Sequence, residues 1–329
     1  MATALQKNKT ARRNRAGKRA AEGQPEWKLR RASGLQILEA SAFAKLPWII
    51  HGFSTCPGGV SELPHAIADG ERDTPRKPER VLNLGFSDWD LREHVAENRA
   101  RFFRAVSAEK LRLVALRQIH SDIVHIVPAK ATAGSEFAPQ GDALIAHEPH
   151  VLLTIQTADC VPILLADTKR RVVAAIHSGW RGTLRRVAAK TLGRMQMEFG
   201  TCPEDVIAAL GPGIGRCCYE VGEEVAKEFH AQFSHARDWF DGPFDALAAG
   251  ENDPSWLPWL TMMPPGHQPA PPRVRLDLIA ANRAILAGAG VASACIFSSG
   301  YCTACRTDLF FSYRRERTTG RLMAAIGIR

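Results

Sequence analysis

Residues 154–183, TIQTADCVPILLADTKRRVVAAIHSGWRGT, decide how this chain is read. Two apolar runs that read as buried strands each lead to a reactive side chain. Residues 151–155 run toward Thr157, Ala158, Asp159 and Cys160. Residues 172–176 run straight into His177, followed by Ser178, Gly179, Trp180, Arg181 and Gly182. A strand, a Gly-punctuated turn and a helix make the unit by which α/β proteins present groups at the carboxyl edge of a sheet. A thiol and an imidazole delivered that way point to a metal site or to a Cys–His nucleophile.

The alternation continues outward from this stretch. Residues 48–53 read as a strand entering a loop at Pro57, Gly58 and Gly59, and residues 63–80 as a polar, Pro-rich loop. Helical spacing covers 88–106. Strands are predicted at 111–116 and 123–127, flanking Arg117, Gln118, Ile119, His120, Ser121 and Asp122, and again at 141–145. Residues 183–199 are the clearest helix, with Leu184, Val187, Ala188, Thr191, Leu192 and Met195 on one face. A strand at 206–210, helices at 220–233 and 276–287, and strands at 294–299, 309–313 and 322–328 complete the pattern. Neighbouring strands lie close enough for antiparallel pairing. The expected fold is therefore α/β with α+β character: one large domain over residues 32–329, with mixed sheets flanked by helices rather than a pure doubly wound sheet. Residues 234–272, rich in Pro, Gly, Asp and Trp, read as an irregular insertion.

Composition narrows the classes. The 45% hydrophobic content of 329 residues supports a substantial core, and no apolar run approaches the roughly 20 residues that cross a bilayer. The net charge of +9 is concentrated: residues 1–31 hold ten Lys and Arg against Glu22 and Glu26, so +8 of it sits in the tail. The body is nearly neutral, and nucleic acid is an expected partner only through the tail. The tail has almost no large apolar residues and is expected to be disordered. It lacks the apolar stretch of about 7–15 residues of a secretory signal. A transit peptide, an RNA-binding arm and a plain solvated extension remain open for it. Eight cysteines scattered along the chain favour reduced thiols and a cytoplasmic setting. Oligomeric state is not legible.

Ten histidines besides His177 could complete a site with it and Cys160, and spacing alone does not choose. His120 stands at a strand end before Ser121 and Asp122. His125 alternates within a strand and reads as packing or surface; His147, His150, His230, His235 and His267 lie in polar or loop contexts. Cys302-Thr303-Ala304-Cys305 has no second CxxC to pair with, and Cys217-Cys218 read as small buried hydrophobes. Gly211-Pro212-Gly213-Ile214-Gly215 lacks dinucleotide-binding spacing and reads as a turn.

Taken in order, the segments RQIHSD, GDALIA, TADCVPILLAD, AAIHSGWRGT, LGPGIGRCCYEVGEEV, LDLIAANRAIL and CTACRTDLFFSYRRERTTGR closely resemble the bacterial laccase-domain (polyphenol oxidase) family. Members of that family are described as purine nucleoside phosphorylases with adenosine deaminase activity. The resemblance runs from Trp48 to Arg329 and is poor over residues 234–272. It implies metal ligands at His120, Cys160 and His177, and a pocket bordered by Cys302 and by Arg314, just past the 309–313 strand. Two imidazoles and a thiolate suit a catalytic zinc, which keeps an open position beside three protein ligands. Copper is the alternative occupant. Asp122 and Asp159, each adjacent to a ligand, are candidates for orienting a ring or balancing charge, against plain strand-edge capping. Arg181 and the turn entering the 183–199 helix make a candidate phosphate site.

The implied substrates are adenosine, inosine and methylthioadenosine, with phosphate. A laccase mechanism is not expected. Multicopper oxidases bind several coppers through paired His-x-His segments, and the chain has none. One His2Cys centre cannot store the electrons that reducing oxygen to water requires, so copper there would give phenol oxidation only as a side activity. The His-x-Glu and Pro-Cys-x-x-Cys pattern of the zinc nucleobase deaminases is also missing, which leaves the proton shuttle unassigned. Two other readings compete: a hydrolase or acyl transferase using Cys160 and His177, and a non-enzymatic metal- or partner-binding module recruited by its tail.

Overall fold

Residues 161–167, 172–178 and 322–328 are buried at every position. Strands without a polar face need cover on both sides, and the fold provides it. The computed structural model describes residues 26–64, 77–128, 139–244 and 273–329. The chain begins with β1 (Trp27–Ala32), β2 (Leu35–Ala40), α1 (Ser41–Ala44), β3 (Ile49–Ser54), β4 (Pro57–Glu62), β5 (Arg80–Val81) and α2 (Arg92–Ala105). Then come β6 (Arg112–Val114), β7 (Val124–Ile126), β8 (Ala143–Ala146), β9 (Val151–Thr157), β10 (Val161–Asp167) and β11 (Val172–Ser178), leading to α3 (Trp180–Leu184) and α4 (Val187–Phe199). The last part holds β12 (Val206–Leu210), β13 (Glu220–Val221), α5 (Glu223–Gln232), β14 (Phe240–Asp241), β15 (Val274–Leu276), α6 (Leu278–Gly288), β16 (Ile296–Ser298), α7 (Tyr313–Glu316) and β17 (Leu322–Ile328).

Two six-stranded sheets dominate, in the orders β1-β2-β3-β17-β9-β6 and β16-β12-β10-β11-β8-β7. Pairing is antiparallel except β6 with β9, β7 with β8 and β12 with β16. The sheets pack face to face through Phe53, Leu153, Ile155, Ala324 and Ile326 against Leu164, Ala166, Val173, Ala175 and Ala209. Alternate residues of the same strands point outward. Ile163, Leu165, Ala174 and Ile176 meet Ala188, Leu192 and Met195 of α4 and Leu278 and Ala281 of α6. Leu152, Met323 and Ala325 meet Phe102 and Ala105 of α2. A helix, two sheets and a helical layer therefore stack in order, and each central Leu or Ile contributes on the order of 1.5–3 kcal/mol by leaving water. This is the mixed-sheet α/β domain expected from the strand spacing. Among the described residues no helix is long and apolar enough to cross a membrane.

Several local expectations change. Residues 161–167 form a strand, although their uniform apolarity offers no alternation to read. Cys160 thus stands at the head of β10, not at the carboxyl edge of a strand. The 183–199 helix is two helices, broken where Arg186 adopts φ 58°. Residues 309–312 are not a strand; Ser312 caps α7, accepting from Arg315 N–H. Pro57, Gly58 and Gly59 lie inside β4. Trp27–Ala32 pair with β2, so residues 27–31 belong to the sheet and not to a disordered tail. Residues 1–25, and 245–272 of the expected insertion, lie outside the described residues.

The connections position the site. The chain crosses between the two sheets four times: between β8 and β9 at one end, and between β6 and β7, β9 and β10, and β16 and β17 at the other. Leu322 pairs with Thr157 and Val161 with Ser178, so the last three crossings meet at one edge of the sandwich.

Candidate active site

Antiparallel pairing of β10 with β11 sets Pro162 opposite His177 and Val161 opposite Ser178. Cys160, one residue before β10, therefore falls opposite Gly179. A Cβ on Gly179 would lie 2.8 Å from Cys160 Sγ and 3.3 Å from His120 Cδ2. Only a missing side chain leaves room for the thiol. His120 arrives from the β6–β7 crossing, in the left-handed region at φ 57°. Its Nε2 is 3.8 Å from Cys160 Sγ, and its ring meets that of His177 edge to face at 4.9 Å. One ligand atom each from His120, Cys160 and His177 falls within 4.8 Å of the others. The donor set and its spacing fit a divalent transition metal with three protein ligands.

The carboxylate behind this cluster is Asp142, fully buried at the head of β8. Its Oδ1 accepts from His177 Nδ1 at 2.8 Å and from His120 N–H at 3.0 Å. Its Oδ2 accepts from Ile119 N–H at 3.3 Å and from Ser121 N–H and Oγ at 2.6 Å each. One side chain thereby fixes the His177 tautomer, leaving Nε2 for ligation, and holds the His120 loop in its strained conformation. Gln118 secures the same loop to β9 through reciprocal 2.7 Å bonds with the Gln156 backbone.

Electrostatics match that arrangement. Burial alone would push the Cys160 thiol up, but the His177 charge and hydrogen bonds from both histidines bring it from 9.0 down to about 6. Burial alone would lower His177, whereas the Cys160 charge and the bond to Asp142 raise it from 6.5 to about 9. Asp142 is likewise pushed up by burial but held at about 2 by hydrogen bonds from His177 and Ser121. A site that stabilises a thiolate before any metal binds is prepared for one.

The cluster opens onto a cleft of about 690 Å³. Trp180, Tyr219 and Tyr313 contribute aromatic surface, and Arg181, Arg314, Arg317 and Arg321 contribute positive charge. The Arg314 guanidinium lies 5.1 Å from the Tyr219 ring centre and donates from Nη1 to Glu220 O at 2.8 Å. Asp159, at φ 96°, lines the cleft; its Oδ1 accepts from Thr303 Oγ and its Oδ2 from Arg314 N–H, each at 2.6 Å. Its work is to tie the β9–β10 crossing to the β16–β17 crossing.

Of the residues singled out from sequence, His120, Cys160 and His177 come together, and Arg181, Arg314 and Asp159 lie around them. Asp122 instead pairs with Lys190 on the surface. Cys302 is not part of the cleft lining; its Sγ accepts from Gly215 N–H at 3.2 Å and lies among three other cysteines. The turn around Arg181 enters α3, a helix of only five residues, so the strong helix-end field expected there belongs to a shorter element. Asp142 escaped the sequence reading. The available signal was one acidic residue heading a strand with no other polar position.

Comparison with known proteins gives a consistent picture. Over 300 residues the chain is 38% identical to a purine nucleoside phosphorylase of Deinococcus radiodurans, spanning 90% of this chain and 94% of that protein. It is 34% identical over 208 residues to the adenosine deaminase RL5 of an unknown prokaryotic organism, spanning 62% of this chain and 70% of that one. The crystal structure of the Bacillus licheniformis hypothetical protein YfiH matches with a TM-score of 0.73 at 27% identity, over 93% of this chain and 100% of that one. Residues 50–329 match the family described as multi-copper polyphenol oxidoreductase laccase, and the chain belongs to that family.

Proposed function

We propose that the protein is a metal-dependent purine nucleoside phosphorylase with adenosine deaminase activity, acting on adenosine and inosine, with methylthioadenosine as a further substrate. The observation that carries this reading is one cleft in which a His2Cys ligand set, aromatic faces and four arginines converge. Zinc is the expected metal and copper the alternative. His120, Cys160 and His177 would hold it, where it supplies Lewis acidity toward a substrate oxygen or water.

The chain's own groups divide the remaining work. In phosphorolysis the bond from C1′ to N9 breaks as one forms between C1′ and a phosphate oxygen, and the purine leaves with the electron pair. Arg181 and Arg314 suit the phosphate, since guanidinium donors match its oxygens. Trp180, Tyr219 and Tyr313 offer faces on which a purine stacks. Asp159 positions rather than shuttles protons, because both its oxygens already accept hydrogen bonds. A single three-ligand centre gives no support to reducing oxygen to water, so phenol oxidation enters only as a copper-dependent side activity.

The test is phosphate-dependent release of free base from adenosine and inosine, together with metal analysis. Cys160→Ala is expected to lose the metal of the His2Cys centre and base release with it; full activity in metal-free protein overturns the reading. One observation favours a second reading: the lowered Cys160 thiol beside His177 also describes a cysteine nucleophile. A covalent adduct on Cys160 formed from an electrophile under saturating zinc would favour it, and protection by zinc would exclude it.

A further inference from the structure

Strands β12 and β16 run parallel and adjacent, with Leu210 opposite Ser298. The loops that leave them therefore emerge side by side. A bridge between Gly213 and Cys302 and the 3.0 Å bond from Thr303 N–H to Gly213 O continue that contact beyond the strands. Each loop carries two cysteines. On one, Cys217 and Cys218 sit in a turn closed by Cys218 and Tyr219 N–H bonding to Gly215 O. On the other, Cys305 and Arg306 N–H both bond to Cys302 O, curling the CxxC back on itself.

The result is a compact knot of sulfur. Cys217 Sγ lies 3.5 Å and Cys218 Sγ 3.4 Å from Cys305 Sγ. All four Sγ atoms fall within 4.8 Å of one another, and all four cysteines are free thiols. A tetrahedron of sulfurs about 2.3 Å from a zinc ion has edges of about 3.8 Å. Donors face the cluster as such a centre requires: Gly215 N–H bonds to Cys302 Sγ at 3.2 Å, and Arg315 Nη2 approaches Cys218 Sγ at 3.7 Å. Both reduce the negative charge that four thiolates around a divalent ion would carry.

We propose that Cys217, Cys218, Cys302 and Cys305 hold a zinc ion in a closed four-thiolate site, separate from the His120, Cys160 and His177 cluster. Four protein ligands leave no position for substrate, so the role is structural. The ion clips the loop ending at Tyr219 to the loop carrying Thr303. Tyr219 stacks on Arg314, and Thr303 bonds to Asp159. The site thereby fixes one wall of the cleft, about which it makes no assumption of reaction.

The experiment counts metal in the full-length protein purified under reducing, zinc-replete conditions. Two zinc ions per chain are expected, falling to one in Cys217→Ser/Cys305→Ser and to one in His120→Ala/Cys160→Ala. Because the serine variant can fail to fold, Co2+ replaces zinc in Cys160→Ala, where a four-thiolate tetrahedron gives intense red ligand-field bands and a strong sulfur charge-transfer band. An unchanged metal count in the serine variant, a Co2+ spectrum without those bands, or an intact mass showing a disulfide among these cysteines each overturns the proposal. Loss of base release in Cys160→Ala bears on the proposed reaction only and leaves the four-thiolate zinc in place.

Discussion

Replacing Asp142 by Asn tests how the His2Cys cluster is held. The carboxylate takes five hydrogen bonds, two on Oδ1 and three on Oδ2. An amide keeps one of its two acceptors. If the retained oxygen faces His177, the new NH2 confronts the N–H groups of Ile119 and Ser121, and the buried Ser121 donor and the part-buried Ile119 donor lose their partner. If the amide flips, His177 keeps a bond only by moving its proton to Nε2, the nitrogen needed for a metal. An orphaned buried donor costs about 1–3 kcal/mol, so the first arrangement loses at least roughly 1–3 kcal/mol of folding stability through Ser121. The second costs metal affinity, for which removal of a ligand's supporting group typically means about 10–100-fold. Asp122→Asn is the control, because Asp122 is paired with a half-exposed Lys190 and such pairs are worth at most about 1 kcal/mol. The assays are urea unfolding and competition for zinc with a chromophoric chelator. Asp142→Asn should fall in at least one of them and Asp122→Asn in neither. Wild-type stability and affinity in Asp142→Asn, or a larger loss in Asp122→Asn, would refute the assignment of Asp142 as the supporting group.

Three further substitutions probe other parts of the argument. Gly179→Ala places a Cβ 2.8 Å from Cys160 Sγ at an ordinary φ of −84°, so the effect is steric. It should displace the thiol and weaken zinc binding at about 1–3 kcal/mol of overpacking, and unchanged affinity by chelator competition would contradict the packing. Arg314→Ala should raise KM for phosphate roughly tenfold or more, the equivalent of one charged hydrogen bond; a KM rise confined to the nucleoside would move the phosphate elsewhere. His51 is buried, accepts from Ala40 N–H at 3.0 Å, and is lowered from 6.5 to about 4, by burial above all. Between those values the unfolded chain binds a proton that the folded chain refuses. Stability should therefore fall by about 3 kcal/mol as pH drops through that window, and His51→Gln should flatten this part of the curve in urea unfolding at several pH values.

The cluster was legible in part because its members sit where strand patterns stop. His177 closes an apolar run and His120 follows one, so each stands out as the polar residue at the end of a strand. Cys160 was visible for the same reason, but its true setting was not. Val161–Asp167 is buried on both faces, and without a polar alternation no period separates a strand from an apolar turn. The break at Arg186 carries no Gly or Pro to mark it. The sulfur cluster is the clearest case of information held by topology alone. Cys217 and Cys305 are separated by 88 residues and meet only because β12 and β16 pair in parallel. A vicinal pair and a solitary CxxC look unrelated until that pairing is known.

The same topology explains why the cleft lies where it does. Each crossing between the two sheets must turn sharply, and a sharp turn is where left-handed backbone occurs. His120 at φ 57°, Asp159 at φ 96° and Arg317 at φ 60° lie on the three crossings beside the cleft, and His150 at φ 61° on the fourth, between β8 and β9. Such conformations persist only where surrounding bonds over-determine them, and here the bonds are identifiable. Asp142 and Gln118 hold the β6–β7 crossing, while Asp159 binds the β9–β10 crossing to the β16–β17 crossing through Thr303 and Arg314. His120 and Cys160 are thus delivered by crossing loops and His177 by strand β11, yet each of these loops is pinned to a neighbour by buried hydrogen bonds. Substituting a ligand should therefore empty the centre while leaving the fold, whereas substituting Asp142 should disturb both.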